Sequence, residues 1–403
     1  MRILFLSQLV PFPIDAGPKV RSYHVLQYLC SVGHEVTLVA FERESDKVED
    51  IAHLRKFCTA VYTVPMVRSR MKDAWYLGQS VLKGEPFLIV RDGVDGMFQL
   101  IQSLMREQHF DTVHADQLWM AQYALAARSY LNGNGSQLKL VLDQHNAVYL
   151  IPERLASDSS NPVKRLILGH EAQALHRYEL DTCARFDDVV WVTDEDRQAL
   201  SIDATQLIGD LTIPICVDTE EKAVVSRFPG AKRVMFLGGL HWPPNAEGVL
   251  WFAREVWPQI VAEMPEAILT VIGKAPPGSL QSVENPIPNL DVTGYVDDVT
   301  SYLAETAVFI VPLHAGGGMR VKIIDAWSWG LPIVSTSIGA EGVQYRDGEN
   351  LLIGDSAHDF ATAVLKLMQD RNLADSIAGK GRLTAETTYE WRNVYRAWDK
   401  VYD

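Results

Sequence analysis

A chain of 403 residues is long for one α/β domain and natural for two of about 200. With 47% hydrophobic and 22% charged residues it has material for two ordinary globular cores, and its formal net charge of −14 argues against a nucleic-acid partner, which needs a concentrated basic face. No apolar run approaches the roughly 18 residues a membrane span needs. The cysteines, Cys30, Cys58, Cys183 and Cys216, are scattered without CxxC spacing. Neither a zinc site nor a disulfide framework is indicated, and a reducing cytoplasm fits.

The opening run Met1–Leu6 breaks at Ser7-Gln8 and again at Pro11 and Pro13, with no small-residue cleavage site. It reads as a first β-strand rather than a signal peptide. In the loop Pro11–Arg21, Gly17 before Pro18 suits close backbone approach at a helix N-terminus; a plain strand-to-helix turn explains it equally well. A helical pattern then runs to Gly33. Glu35–Ala40, Thr59–Val64, Thr112–Ala115, Lys139–Leu142 and Val189–Val192 read as buried strands, with helices between them such as Asp95–Glu107 and Pro162–Ala184. Asn132–Ser136 reads as a flexible loop. The domain join is expected near Ile213–Ala231.

The second half starts as the first does, with the β-rich Arg233–Leu240. Val249, Phe252, Ala253, Val256, Trp257 and Ile260 follow at i, i+3, i+4, i+7 spacing and predict a helix. Ala267–Ile272, Leu290–Thr293, Val308–Val311, Ile333–Ser335 and Asn350–Ile353 read as strands, and Ala385–Val401, with Trp391, Tyr395 and Trp398, as a last helix. Continuous apolar strands alternating with helices imply parallel sheets covered on both faces, with ligands beyond the carboxyl ends of the strands.

The most informative segment lies at such an end. Val308–Val311 runs into Gly316, Gly317 and Gly318, then Arg320, Lys322 and Asp325 on a predicted helix. Strand, glycine turn and helix start is where free N–H groups and the helix dipole meet an anion, usually phosphate. Arg320 and Lys322 add fork and point charges, and Lys322 and Asp325 share a face, so one site can hold a diphosphate and a ribose. The plainer reading is a tight loop with a Lys–Asp surface pair. His145 also stands at a strand end, after Val141–Gln144. Asp194-Glu195-Asp196 is tempting as a metal motif, but Thr193 as N-cap with acids in the first helical turn explains it. Val67–Leu77 concentrates Arg68, Arg70 and Lys72 beside Trp75 and Tyr76, which reads either as a membrane-facing surface or as a solvated helix face with core aromatics.

Gly316-Gly317-Gly318-x-Arg320-x-Lys322, with Asp325-Ala326 following, resembles the donor signature of GT-B glycosyltransferases, family 4, closest to the bacterial polysaccharide type. The Ser7-Gln8 to Arg21 loop, Asp143–Asn146 and Phe236–Asn245 extend the resemblance over most of the chain. It implies an α/β fold of two Rossmann-like domains with parallel sheets facing a central cleft: 1–212 for the acceptor, 213–384 for the nucleotide-sugar donor, and a C-terminal helix 385–403 crossing back. It implies a retaining, metal-independent transfer of a sugar from a nucleoside diphosphate to a saccharide or lipid-linked saccharide acceptor, in polysaccharide or glycolipid assembly. The setting would be cytoplasmic, with peripheral contact at the inner membrane face, and without a cofactor. His145, Arg320 and Lys322 are the expected catalytic residues. Gly17, Tyr295, Val296, Gly317, Gly318, Met319 and Asp325 are the expected donor contacts.

Three departures stand out. Gly317 occupies the family's first glutamate position, Asp325 the second, and His241-Trp242 replaces a Gly-Arg pair, with Arg320 as the expected substitute. A non-catalytic nucleotide-sugar-binding subunit, or an epimerase or phosphorylase on the same fold, are the alternative functions.

Overall fold

A computed structural model of the chain describes all residues except 15–16, 132–137, 158, 160, 201–210, 282–285 and 403. The Asn132–Ser136 loop therefore lies outside the described residues. The chain divides into two compact units: Met1–Cys216 with Gly317–Met319 and Trp391–Asp403, and Val217–Gly316 with Arg320–Glu390.

The first unit is built on a parallel sheet of seven strands, in the order β3-β2-β1-β4-β5-β6-β7. These are β1 (Arg2–Ser7), β2 (Glu35–Glu42), β3 (Ala60–Pro65), β4 (Thr112–Asp116), β5 (Lys139–Gln144), β6 (Asp188–Trp191) and β7 (Leu211–Thr212). The second unit has six, in the order β10-β9-β8-β11-β12-β13: β8 (Arg233–Leu237), β9 (Ile268–Ile272), β10 (Leu290–Gly294), β11 (Thr306–Val311), β12 (Ile333–Ser335) and β13 (Leu352–Ile353). In both sheets the first strand lies mid-sheet and the strand order reverses beside it. The point of reversal is where open α/β sheets bind ligands. All six residues of β11 are buried, as a parallel strand covered on both faces requires.

Five helices matter below: α1 (Gly17–Ser31), α2 (Arg70–Lys83), α3 (Pro162–Cys183), α4 (Asp194–Ala199) and α5 (Val321–Ser328). Each expected strand is present, with ends shifted by up to three residues. The two-residue β7 was not expected; Leu211-Thr212 is too short to carry an alternating or continuous pattern.

Two expected helices differ from their sequence patterns. The stripe from Val249 to Ile260 is helical, but Phe252–Val256 forms a π turn between Pro243–Trp251 and Trp257–Glu263. Pro258 explains it, because proline lacks an N–H and its ring crowds the carbonyl four residues back, which a widened turn relieves. Ala385–Val401 is not one helix. It breaks at Tyr389-Glu390, where the Tyr389 carbonyl accepts from Val217 N–H at 2.9 Å and Glu390 Oε2 accepts from Thr219 N–H at 2.8 Å. After the break, Trp391–Val394, Tyr395–Trp398 and Asp399–Tyr402 form short turns that belong to the first unit.

Candidate functional site

In the first unit, β1, β4 and β5 end in polar residues that pair across the sheet: Ser7 opposite Asp116, and Asp116 opposite Asp143. Asp143 and Asp116 are both fully buried. Arg21 of α1, also fully buried, donates to Asp143 through Nε at 2.8 Å and to the Ile213 carbonyl through Nη1 at 2.6 Å. Asp116 Oδ2 accepts from Ser7 Oγ at 2.9 Å and Ser22 Oγ at 2.7 Å, and Oδ1 pairs with His145 Nε2 at 2.9 Å.

Two histidines are driven apart by this arrangement. Burial pulls the His145 pKa down, yet Asp116 and Asp143 outweigh it and leave it raised. Burial dominates at His114 and lowers its pKa to about 4, against the pull of the same two carboxylates. Burial would raise Asp143, but Arg21 and His145 hold it well below the usual carboxylate range. The two carboxylates thus favour the charged form of His145, while burial keeps His114 as a neutral ring stacked on Phe5 at 4.2 Å. His114, Asp116 and Asp143 bring one ligand atom each within 4.8 Å of one another, a geometry a metal could use. Here both carboxylates are already committed to the hydroxyls, His145 and Arg21.

The backbone after His145 is gripped from below. Asp196 Oδ1 accepts from Ala147 N–H at 2.9 Å. Glu179 of α3 accepts from Val148 N–H at 2.7 Å, Tyr149 N–H at 3.0 Å and Gln144 Nε2 at 2.8 Å. Glu179 is fully buried, and burial pushes its pKa up to about 8 despite these donors. Thr193 caps α4, its Oγ1 accepting from Asp196 N–H at 3.0 Å. The Asp194–Asp196 acids have separate partners: Asp194 takes Thr212 Oγ1 at 2.6 Å, while Asp196 holds the His145 loop. Sequence reasoning read the cap and missed this second task.

In the second unit, β11 leads into a loop where Gly316 has φ 123° and Gly318 φ 74°, values that L side chains rarely adopt. Arg320 is the N-cap of α5, and Lys322 lies in its first turn. Arg320 is buried, with Nη2 3.3 Å from the Ile338 carbonyl and 3.7 Å from Glu341 Oε2. Lys322 Nζ donates to Asn245 Oδ1 at 2.8 Å and stands 4.3 Å from the Phe236 ring centroid. A Cβ on Gly238 would lie 2.8 Å from Nζ, so a larger residue there would displace the ammonium. Burial first, and then the neighbouring Arg320, lower the Lys322 pKa to about 7.

The Lys322–Asp325 surface pair of the plainer reading does not form. Asp325 pairs instead with Lys222, and Lys222 also lies 5.6 Å from the Trp329 ring. Lys322 is held away by Asn245. Tyr295 and Val296 follow β10 in a loop; Tyr295 is exposed, with Lys274 Nζ 4.4 Å over its ring. Gly17 opens α1, and Gly317, Gly318 and the buried Met319 group with the first unit. On α2, Trp75 is 60% exposed, so it is not a core aromatic.

Residues 231–370 match the family model of the glycosyl transferases group 1. A Klebsiella pneumoniae protein described as an uncharacterized 44.6 kDa protein in the cps region is 22% identical over 98% of both chains. The lipopolysaccharide core biosynthesis glycosyltransferase LpsE of Rhizobium meliloti is 30% identical over 41% of this chain and 52% of its own length. Among solved structures, Anabaena Alr3699/HepE in complex with UDP and glucose superposes with a TM-score of 0.68 at 14% identity, covering 100% of this chain and 99% of its own. The fold is that of GT-B glycosyltransferases. The family model covers residues 231–370, about a third of the chain, and the likeness to group 1 glycosyl transferases holds over that segment, while the solved structures, at 14% identity, speak to the fold alone.

Proposed function

We propose that the chain is a retaining glycosyltransferase that moves a sugar from a nucleoside diphosphate to a hydroxyl acceptor in polysaccharide or glycolipid assembly. One observation carries the reading. A loop with two left-handed glycines delivers the start of α5 together with Lys322, whose ammonium is aimed by Asn245 over a glycine. That is a site for a diphosphate. In the transfer, the bond from the sugar's anomeric carbon to the diphosphate breaks and its electron pair leaves with phosphate. The acceptor oxygen bonds to the same face of that carbon, and its proton passes to the departing phosphate oxygen. Lys322, Arg320 and the α5 N–H groups offset the charge that develops on the leaving group, so no metal is required. Asp325 takes the ribose hydroxyls and Tyr295-Val296 the base, while His145 faces the transferred sugar.

The relatives support this coarsely: one is described as a lipopolysaccharide core glycosyltransferase, and one solved neighbour holds UDP and glucose. The acceptor we favour is saccharide in nature and lipid-linked, with the first unit resting against a membrane. Its exposed Met71, Trp75 and Leu82 on α2 and Val163, Leu166 and Ile167 on α3 favour that setting. Among the described residues no helix is long and apolar enough to cross a membrane, so contact would be peripheral.

The test is a thermal-shift panel of UDP, GDP, ADP and dTDP, followed by transfer with the matching sugar and NMR of the product anomer. A selective nucleotide at 100 times its Kd stabilises by about 2.7 kcal/mol. Absence of any shift across the panel would sink the donor reading, and an inverted anomer would sink retention alone.

A further inference from the structure

The first unit carries a concentration of positive charge that the donor chemistry does not use. At the carboxyl ends of β1, β2 and β3, Gln8, Arg43, Arg68 and Arg91 gather about one carboxylate, Asp92, which is 1% exposed. Asp92 Oδ1 accepts from Arg68 Nη1 at 2.6 Å and from Arg91 Nε at 2.8 Å, and Oδ2 accepts from Gln8 Nε2 at 3.1 Å. Its main chain is pinned as well, the Asp92 carbonyl accepting from Tyr123 OH at 2.5 Å. The carboxylate therefore acts as an anchor that fixes two guanidiniums while leaving their remaining N–H groups unspent.

Arg43 completes the group. Its backbone N–H is held by Asp46 Oδ2 at 2.8 Å, but its guanidinium has no hydrogen bond or ion pair among the described residues. Partial desolvation and then the repulsion of Arg68 lower its pKa, Asp46 and Asp92 only partly offset them, and Arg91 adds a smaller repulsion. Three guanidiniums are thus drawn toward the one buried carboxylate of Asp92, on a chain whose net charge is −14. Holding like charges together costs free energy that a bound anion would return.

We propose that Arg43, Arg68 and Arg91 form a subsite for a phosphate group of the acceptor. The inference rests on the transferase reading for the word acceptor, although anion binding at the cluster does not. Guanidiniums arriving from separate loops suit the several oxygens of a tetrahedral phosphate better than a single planar carboxylate edge. The placement is also suitable. Gln8 directly follows Ser7, which holds Asp116, the partner of His145. From β2 to β5 is three strand steps, about 14 Å at the usual spacing, so a phosphate on the arginines leaves room for a sugar reaching toward His145.

The experiment is calorimetric titration of inorganic pyrophosphate, methyl phosphate and glucuronate into wild type, Lys322→Ala, Arg43→Gln and the Arg43→Gln/Arg68→Gln double variant. Arg43→Gln leaves both ion pairs of Asp92 in place, so it guards against a folding artefact. The Lys322→Ala protein should keep a phosphate site that the double variant binds at least about tenfold more weakly, with Arg43→Gln between them. Phosphate binding unchanged in both arginine variants overturns the proposal, as does absence of phosphate binding to wild type. Binding of glucuronate alone at the cluster overturns the assignment to phosphate. The donor reading is scored separately: nucleoside diphosphate stabilisation should vanish in Lys322→Ala and persist in the arginine variants. If no nucleoside diphosphate stabilises any of the four proteins while pyrophosphate still depends on Arg43 and Arg68, the donor reading fails and the anion subsite stands.

Discussion

Lys322 sits where its own charge is disfavoured: beside Arg320, half-buried, and with a pKa brought down to about 7. A diphosphate would restore the ammonium, so binding should take up a proton. Between pH 7 and 9, nucleoside diphosphate affinity should fall as pH rises, and calorimetry in buffers of different ionisation heat should show uptake near pH 8. Lys322→Ala should abolish both effects and lower kcat about 10²-fold or more; unchanged kcat/KM would remove Lys322 from the site. His145 has the opposite sign. Its folded pKa is raised, so its contribution to stability is complete below its unfolded pKa of about 6.5 and is lost as pH rises through the folded value. His145→Ala should therefore destabilise by about 3 kcal/mol at pH 6 and by less at pH 9, measured by urea unfolding. Both residues were visible as candidates in the sequence because they follow strand ends beside turn residues. Their partners were not. Asn245 precedes Lys322 by 77 positions and Asp116 precedes His145 by 29, and no periodicity links residues that meet only because their strands do.

At the scale of elements, α4 reads from its sequence as a capped helix, and it is one, but its function is to hold a loop 49 positions earlier. Asp196→Ala removes both the acceptor for Ala147 N–H and the partner of Thr193. It should cost about 1–3 kcal/mol of stability and lower turnover through His145 while leaving nucleotide binding intact. Equal loss of nucleotide binding would show global damage instead. Chelation by EDTA should leave transfer unaffected if Lys322 and Arg320 carry the leaving-group charge; loss restored by Mn²⁺ would overturn that account. The α2 and α3 surfaces make a separate prediction. Wild type should pellet with anionic vesicles at low salt, each cation near the lipid adding about 1 kcal/mol, and a Trp75→Ala, Leu166→Asp, Ile167→Asp variant should stay in solution. The pattern in α2 allowed core aromatics, because amphipathicity shows that one face is apolar without showing what covers it. In α3 the exposed Val163, Leu166 and Ile167 share a chain with the buried Leu175, so no single stripe separates the two environments.

The whole molecule was the most legible level, since two runs of buried strands alternating with helices leave few arrangements beyond two doubly wound parallel sheets. The C-terminal segment was less so. Aromatic spacing from Ala385 to Val401 fits one helix, and only the pull of Val217 and Thr219 on Tyr389 and Glu390 divides it. Beyond the break, Trp391, Tyr395, Trp398, Val401 and Tyr402 are all buried in the first unit's core, Tyr402 OH lying 2.5 Å from His114 Nδ1 and Asp399 accepting from Tyr28 OH at 2.6 Å. At about 1.5–3 kcal/mol for each large side chain their burial totals about 10 kcal/mol, comparable with the whole stability of a domain. Truncation after Glu390 should thus unfold the first unit, seen as loss of its protease resistance, while the Val217–Glu390 body keeps its own.

That dependence sets an order of events at the ribosome. The first unit's strands emerge early, yet its hydrophobic face stays open until Tyr402 has been made, and at about 5–20 residues per second the intervening second unit imposes a wait of roughly 10–40 s. Nascent chains should be aggregation-prone throughout that interval and recruit chaperones to residues 1–216. The Met1 amine lies 3.2 Å from His34 Nδ1, and the His34 ring is 5.6 Å from that of Tyr402, so a circular permutant that begins at Trp391 is geometrically open. In such a permutant the first unit would complete its core before the second is synthesised, and the soluble yield without chaperones should rise.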